Sequence, residues 1–121
     1  MHLDDLRKQP TEILIQMADE QKVKNPDNLR RNELMFQIVA TMPEDARKDV
    51  RGEGVLEILS DGFGFLRSAE NSYTSTQEDI YVSPSQIRRL GLRTGDTITG
   101  YIRHPNPGER YFAIQKIEAV N

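Results

Sequence analysis

The sequence predicts an α+β chain in which a small N-terminal helical bundle is followed by a five-stranded antiparallel β-barrel. Up to residue 42, apolar residues recur at the three- and four-residue spacing of amphipathic helices. From residue 55 onwards they alternate with polar residues, which is typical of half-buried strands. This change of period predicts two subdomains, a helical bundle over residues 1–48 and a barrel over residues 49–121.

The composition is that of a small, polar and slightly acidic chain. It has 121 residues, of which 36% are hydrophobic and 29% charged, and a formal net charge of −3. This balance differs from that of a basic protein that grips duplex nucleic acid through its phosphates. Cysteine is absent, which excludes disulfides and thiolate metal sites. The sequence has no apolar run of membrane-spanning length and no signal-peptide pattern. We therefore expect a cytoplasmic protein without a membrane partner.

The helical part is expected to contain a short opening segment and two longer helices. Leu3 and Leu6 lie one turn apart in the opening segment. We expect Thr11 to cap the second helix and Asn28 to cap the next turn, after a break at Pro26. The third helix carries apolar residues at helical spacing, namely Leu34, Met35, Ile38, Val39 and Met42.

Two polar segments flank the third helix. Residues 43–54 are polar and end in two glycines, which predicts a linker. The segment before the helix gathers the cations Lys22, Lys24, Arg30 and Arg31. These side chains form either a solvated face or auxiliary contacts to phosphate.

Five strands are expected after the linker, with a polar loop at 68–78. They cover residues 55–59, 63–67, 79–83, 97–103 and 111–120. Gly62 can adopt the positive φ of a tight turn between the first two, and Pro84 opens a short helix between the third and fourth. Alternation slips near Lys116, which predicts a bulge or an early end of the strand there. This order of elements is that of the OB-fold, whose second and third strands bind oligonucleotides.

The second predicted strand places two aromatic rings and a cation on one face. Phe63, Phe65 and Arg67 alternate with Gly64 and Leu66, so they share one side of the strand. Arginine is rarely buried without a partner, so we expect this side to face solvent. The third and fifth strands add to the same side Asp79, Tyr81 and Tyr111.

Exposed rings beside a cation suit unpaired nucleic-acid bases. Every base has a π-face, and stacking on an aromatic side chain contributes about 1–3 kcal/mol per base. The alternative is that the Phe-x-Phe pattern belongs to the barrel core. The convergence of three strands on one face favours a binding face.

Longer motifs resemble a known family. Residues 62–66 and 79–83 resemble the paired RNA-binding strands of cold-shock domains. A closer match extends over the whole chain and is to the N-terminal RNA-binding domain of the Rho family of bacterial transcription termination factors. The motifs that carry it are 33–36, 54–59, 61–68, 79–89, 92–96 and 108–112.

The resemblance implies a set of RNA-binding residues. In this sequence Phe63 and Phe65 would stack on bases, and Tyr81 and Tyr111 would enclose the pocket. Arg67 and Asp79 would read a base edge, while Glu109 and Arg110 would line the site. Less firmly matched positions are Leu59, Ser83 and Lys116. Asn106 stands where many relatives are expected to carry lysine, a side chain that can contact phosphate.

The resemblance also implies that the chain is part of a larger, ATP-dependent assembly. The family is a homohexameric, ATP-dependent RNA–DNA translocase, and its N-terminal domain takes up cytidine-rich single-stranded RNA. Its expected partners are that RNA, RNA polymerase and elongation factors. The phosphate-binding pattern Gly-x-x-x-x-Gly-Lys-Ser/Thr is absent from these residues. We therefore expect ATP and Mg²⁺ only in a downstream motor domain, with neither enzymatic activity nor a cofactor in this chain.

The Arg67–Asp79 pair would distinguish cytosine from uracil. Cytosine presents an amino donor and two acceptors, so a guanidinium can donate to the acceptors and a carboxylate can accept from the amino group. Uracil would present a carbonyl oxygen to Asp79 instead. The alternative is a cross-strand ion pair between Arg67 and Asp79, worth about 0.2–1 kcal/mol.

Two other functions are compatible with the sequence. A free-standing cold-shock-like protein would bind single strands with little base preference, and an OB barrel can also serve as a protein-interaction module. An enzyme is disfavoured because the only histidines, His2 and His104, are far apart in sequence and no nucleophile–base arrangement stands out. No cluster of metal ligands is evident either.

Overall fold

The computed structural model describes the backbone of residues 1–121 and every side chain except that of Glu70. The helices are α1 (Leu3–Arg7), α2 (Thr11–Glu20), α3 (Arg31–Ala40), α4 (Glu44–Lys48) and α5 (Pro84–Leu90), with short 3₁₀ turns at Pro26–Asn28 and Ala69–Asn71. The strands are β1 (Arg51–Ile58), β2 (Gly64–Arg67), β3 (Ile80–Val82), β4 (Thr97–Arg103) and β5 (Phe112–Val120).

The five strands close into a barrel in the order β1-β2-β3-β5-β4. This confirms the predicted α+β class and the OB-fold. One pairing differs from the prediction, because β3 runs parallel to β5, with Ile80 opposite Phe112. A closed ring with an odd number of strands cannot alternate direction at every step, so one neighbouring pair must be parallel.

The predicted irregularity of the last strand is confirmed. The register between β4 and β5 shifts between Thr99 and Gly100, and again between Tyr101 and Ile102. A Cβ on Gly100 would lie 2.2 Å from the Lys116 carbonyl oxygen, so only glycine fits this crossing. Two shifts in one pairing bend β5 around the barrel and allow closure.

Two predicted helix caps are wrong. Thr11 is the first residue of α2, and the capping position is held by Pro10, which provides no side-chain hydrogen bond. The Thr11 hydroxyl instead accepts from Arg31 Nη1 at 3.4 Å. Asn28 ends a 3₁₀ turn, and α3 begins after Arg30, whose N–H donates to Glu33 Oε1 at 2.9 Å.

The predicted linker at 43–54 is also wrong. It contains α4, whose Lys48 Nζ lies 2.8 Å from Glu44 Oε1 one turn away. Acidic residues in the first turn and basic ones in the last suit the helix dipole, so a polar segment can be helical. β1 then begins at Arg51, which pairs with Tyr101 of β4. Residues 51–54 therefore belong to the strand, although their polar and glycine-rich composition predicts a loop.

A single hydrophobic cluster joins the helices to the barrel. Leu3, Leu14 and Leu34 of the helices belong to the same cluster as Leu56 and Ile80 of the barrel. The Phe36 ring of α3 meets the Phe112 ring of β5 edge-on, with centroids 4.9 Å apart. The division into residues 1–48 and 49–121 stays a prediction. None of the helices described has the length and apolarity needed to cross a membrane.

The Phe36–Phe112 contact generates a prediction about stability. In a double-mutant cycle with Phe36→Leu and Phe112→Leu, we expect a coupling of about 0.5–1.5 kcal/mol, because edge-to-face rings attract beyond their buried area. Urea denaturation measures the free energy of unfolding of each variant. The pair Phe36→Leu and Tyr101→Leu serves as the control and should be additive, since the Tyr101 ring contacts the Arg51 guanidinium instead. Additivity in both pairs would contradict the prediction.

Candidate nucleic-acid interface

Four aromatic side chains meet on the outer side of β2, β3 and β5. Phe63 lies just before β2, Phe65 within it, Tyr81 within β3 and Tyr111 just before β5. The register pairs Phe65 with Tyr81, and Tyr81 with Ala113, so neighbouring strands bring these rings side by side. We call these four residues the aromatic face.

The rings of the aromatic face form one contiguous surface. The Phe65 and Tyr111 centroids are 4.7 Å apart, those of Phe63 and Tyr81 5.8 Å, and those of Phe65 and Tyr81 6.0 Å. All four side chains are half-buried, whereas the alternating Leu66 is fully buried. The prediction that these rings lie outside the barrel core is therefore confirmed.

A tight turn sets the position of Phe63. Gly62 has a φ of 93°, which a side chain would strain, and its N–H donates to the Leu59 carbonyl at 2.9 Å. The Leu59 N–H donates in turn to the Phe63 carbonyl at 2.8 Å. Phe63 is thus fixed beside Phe65, although it precedes the strand.

Arg67 and Asp79 lie on the expected side of the sheet, but the prediction that they project into solvent is wrong. Arg67 is 8% exposed and Asp79 is 0% exposed. The Arg67 Nη1 donates to Asp79 Oδ2, and its Nε donates to Glu57 Oε1 at 3.0 Å. The Thr76 N–H donates to the same Asp79 oxygen at 3.0 Å, so the loop before β3 folds over the pair.

Neighbouring carboxylates stabilise the charge of the buried Arg67 guanidinium, which contacts the aromatic face. Burial acts to lower the pKa of Arg67, but hydrogen bonds and charges from Asp79 and Glu57 outweigh it and raise that pKa. The group therefore stays cationic. Its central carbon lies 5.4 Å from the Phe65 ring centroid, within cation–π range.

Two further arginines hold the loop in place. The Arg7 side chain is 1% exposed and donates to the Glu78 carbonyl, directly before Asp79, and to Asp4 Oδ1 at 3.1 Å. Arg31 donates to the Arg7 carbonyl at 2.7 Å, and both guanidinium groups lie 3.9 Å from the Glu78 carboxylate. Sequence reasoning missed Arg7, because its spacing from Asp4 is that of an ordinary surface pair on a helix.

Glu109 and Arg110 border the other side of the aromatic face. The Glu109 carboxylate accepts from Arg103 Nη1 at 2.6 Å and from the Asn106 N–H at 2.8 Å. Both hydrogen bonds lower the pKa of Glu109. Arg110 is exposed, and its guanidinium has no hydrogen bond or ion pair with any described residue. A hollow of about 230 Å³ is lined by Tyr81, Glu109, Arg110, Tyr111 and Ala113.

The remaining sequence candidates lie at the margins. Leu59 is half-buried, and the Ser83 hydroxyl accepts the Gln86 N–H at 3.2 Å as the N-cap of α5. Lys116 is exposed at the β5 bulge. The role of these residues, and of the aromatic face, in RNA binding stays a prediction. No group of three or more potential metal ligands occurs among the side chains described.

Comparisons with known proteins connect this geometry to a family. The model of "Rho termination factor, RNA-binding domain" matches residues 52–121, and that of "Rho termination factor, N-terminal domain" matches residues 5–46. The chain is 50% identical to transcription termination factor Rho of Escherichia coli (strain K12) and 49% identical to that of Pseudomonas fluorescens biotype C, in both cases over 100% of the chain. It spans 29% of the length of these relatives.

The Arg67–Asp79 pair generates a second prediction about stability. We expect Arg67→Met to lower the free energy of unfolding by about 3–5 kcal/mol, because Asp79 is left buried without its cation. The double variant Arg67→Met/Asp79→Leu should recover much of this loss. Glu57→Gln is the control and should cost less than about 1 kcal/mol, since the Glu57 side chain is 52% exposed. Urea denaturation in which Arg67→Met and Glu57→Gln cost the same would contradict the prediction.

Proposed function

Because this chain belongs to the family of Rho termination factor RNA-binding domains, we propose that it takes up cytidine-rich single-stranded RNA in transcription termination. The observation that carries the proposal is the aromatic face, with a buried, fixed arginine beside it. Four half-exposed rings on three adjacent strands offer several stacking surfaces. Single-stranded bases can stack there without sequence-specific hydrogen bonds.

Stacking supplies most of the affinity in this proposal. Each stacked base contributes about 1–3 kcal/mol, and the rings already hold one another at fixed distances in the free chain. The chain carries a net charge of −3, so a long-range field attracts RNA only weakly. A few local phosphate contacts then give a shallow salt dependence, about −0.7 per contact.

Base preference comes from Arg67 and Asp79. Arg67 lies against the Phe65 ring, so a base stacked there brings its edge near the guanidinium. Asp79 fixes the orientation of Arg67 and accepts from the cytosine amino group once the Thr76 N–H is displaced from its carboxylate. Glu109 and Arg110 close the hollow beside Tyr111. Leu59, Ser83 and Lys116 contribute from the margins.

The whole protein is proposed to be a cytoplasmic homohexamer that moves along RNA by hydrolysing ATP with Mg²⁺ in a motor region outside these residues. This chain then binds RNA and does not catalyse a reaction. Several copies on one transcript would raise the overall affinity through effective concentration. RNA polymerase and elongation factors are the proposed protein partners of the assembly.

The stacking role generates a prediction about affinity. We expect Tyr111→Leu to weaken binding of oligo-C by about 1–3 kcal/mol, or roughly five- to 150-fold, because one stacking surface is lost. Fluorescence anisotropy with a labelled oligonucleotide measures the change. Tyr101→Leu is the matched control and should bind as wild type, since Tyr101 lies on β4 outside the aromatic face and packs against Arg51 of β1. Equal affinities of the two variants would contradict the proposal.

The base-reading role generates a separate prediction. We expect Asp79→Asn to narrow the ratio of oligo-U to oligo-C dissociation constants by about fivefold or more, because an amide no longer selects the cytosine amino group over the uracil carbonyl. Asp96→Asn, in the turn before β4, should keep the wild-type ratio. Circular dichroism checks that both variants are folded. An unchanged ratio in folded Asp79→Asn would show that Asp79 does not read the base.

A further inference from the structure

A polar groove leads from the aromatic face to the start of α3. Its volume is about 500 Å³, and it shares Glu109, Arg110 and Tyr111 with the hollow described above. Its opposite wall includes Arg30 and Asn32. A strand of RNA whose base stacks on Tyr111 therefore has a continuous path towards the helices.

The carboxylates of this groove are occupied by neighbouring donors. Glu33 Oε1 accepts the Arg30 N–H at 2.9 Å. Glu109 accepts from Arg103 and from the Asn106 N–H, which also lowers its pKa. The Arg103 cation thus offsets the charge of Glu109 before any ligand arrives and reduces its repulsion of an incoming phosphate.

The two arginines of the groove differ from a neighbour in sequence in their contacts with the described residues. Within the part of the chain that the structure describes, the guanidinium groups of Arg30 and Arg110 have no hydrogen bond or ion pair, and both residues are exposed. Arg31, by comparison, donates to the Arg7 carbonyl and lies near Glu78. One of two adjacent arginines therefore stabilises the fold, while the other has its donors available.

We propose that this groove binds the sugar–phosphate backbone of the nucleotides next to the base stacked on Tyr111, with Arg30 and Arg110 donating to phosphate oxygens. This inference rests on the proposed RNA binding at the aromatic face. Guanidinium groups bind phosphate through two parallel hydrogen bonds, and such contacts position a strand without reading its sequence. The α3 end of the helical segment would then belong to the RNA path.

The test compares Arg30→Gln with the wild-type chain on a cytidine dinucleotide and on an oligo-C octamer. We expect the two bases of the dinucleotide to stack on the aromatic face without reaching Arg30, so its affinity should change less than twofold. The octamer reaches the groove, so its affinity should fall about three- to tenfold at low salt, and its salt slope should become shallower by about 0.7. The loss should be equal for oligo-C and oligo-U octamers, because phosphate carries no base information.

Two control variants distinguish a general loss of positive charge from the loss of the arginine contact at residue 30. Arg89→Gln removes the same charge from an exposed arginine of α5, outside the groove, and should leave both ligands bound as in wild type. Arg30→Lys keeps the charge without the planar fork and should recover part of the octamer affinity. Thermal unfolding of each variant confirms that the fold is kept.

The outcomes distinguish a failure of the groove proposal from a failure of the proposed RNA binding at the aromatic face. If wild-type protein binds the dinucleotide, but Arg30→Gln and Arg89→Gln bind the octamer with the same affinity and the same salt slope, the groove does not bind the RNA backbone. If wild-type protein binds neither ligand, RNA binding at the aromatic face itself fails, and the groove proposal fails with it. A selective loss on the octamer, partly recovered by Arg30→Lys, supports the groove.

Discussion

The arrangement of the candidate site depends on the buried ion pair between Arg67 and Asp79. Removing two charged groups from water costs several kcal/mol for each, so both must be surrounded by partners. Asp79 accepts from Arg67 and from the Thr76 N–H, and Glu57 accepts from the other side of the guanidinium. The pair therefore holds the loop before β3 against the outer side of the sheet. It also fixes a cation beside the Phe65 ring.

The helices contribute to the same arrangement from the opposite direction. Arg7 and Arg31 bring two cations to Glu78, one residue before Asp79. The hydrogen bond from Arg7 to the Glu78 carbonyl joins residues 71 positions apart in the chain. Together with the Phe36–Phe112 contact, it ties the helical segment to the barrel at the edge of the candidate site. The conformation of the loop is thus set jointly by the sheet and the helices.

Local pairing explains how an acidic chain can present a surface suited to RNA. The net charge of −3 describes the whole molecule, whereas a phosphate responds mainly to charges within about a Debye length. Near the aromatic face, Glu57 is paired with Arg67 and Glu109 with Arg103. The guanidinium groups of Arg110 and Arg30 have no ion pair with any side chain that the structure describes. These two arginines consequently offer positive charge to a ligand beside the aromatic face, although the chain as a whole is acidic.

The sequence by itself determined the features that depend on neighbouring residues. Alternation placed Phe65 and Tyr81 outside the barrel core, Gly62 identified the turn before β2, and the slip near Lys116 indicated the bulge. Each follows from backbone geometry over a few residues. The tertiary structure alone decided the burial of Arg67 and Asp79, the role of Arg7 and the parallel pairing of β3 with β5. These depend on loop coverage, on contacts between distant segments and on closure of an odd-numbered ring, none of which a local pattern records.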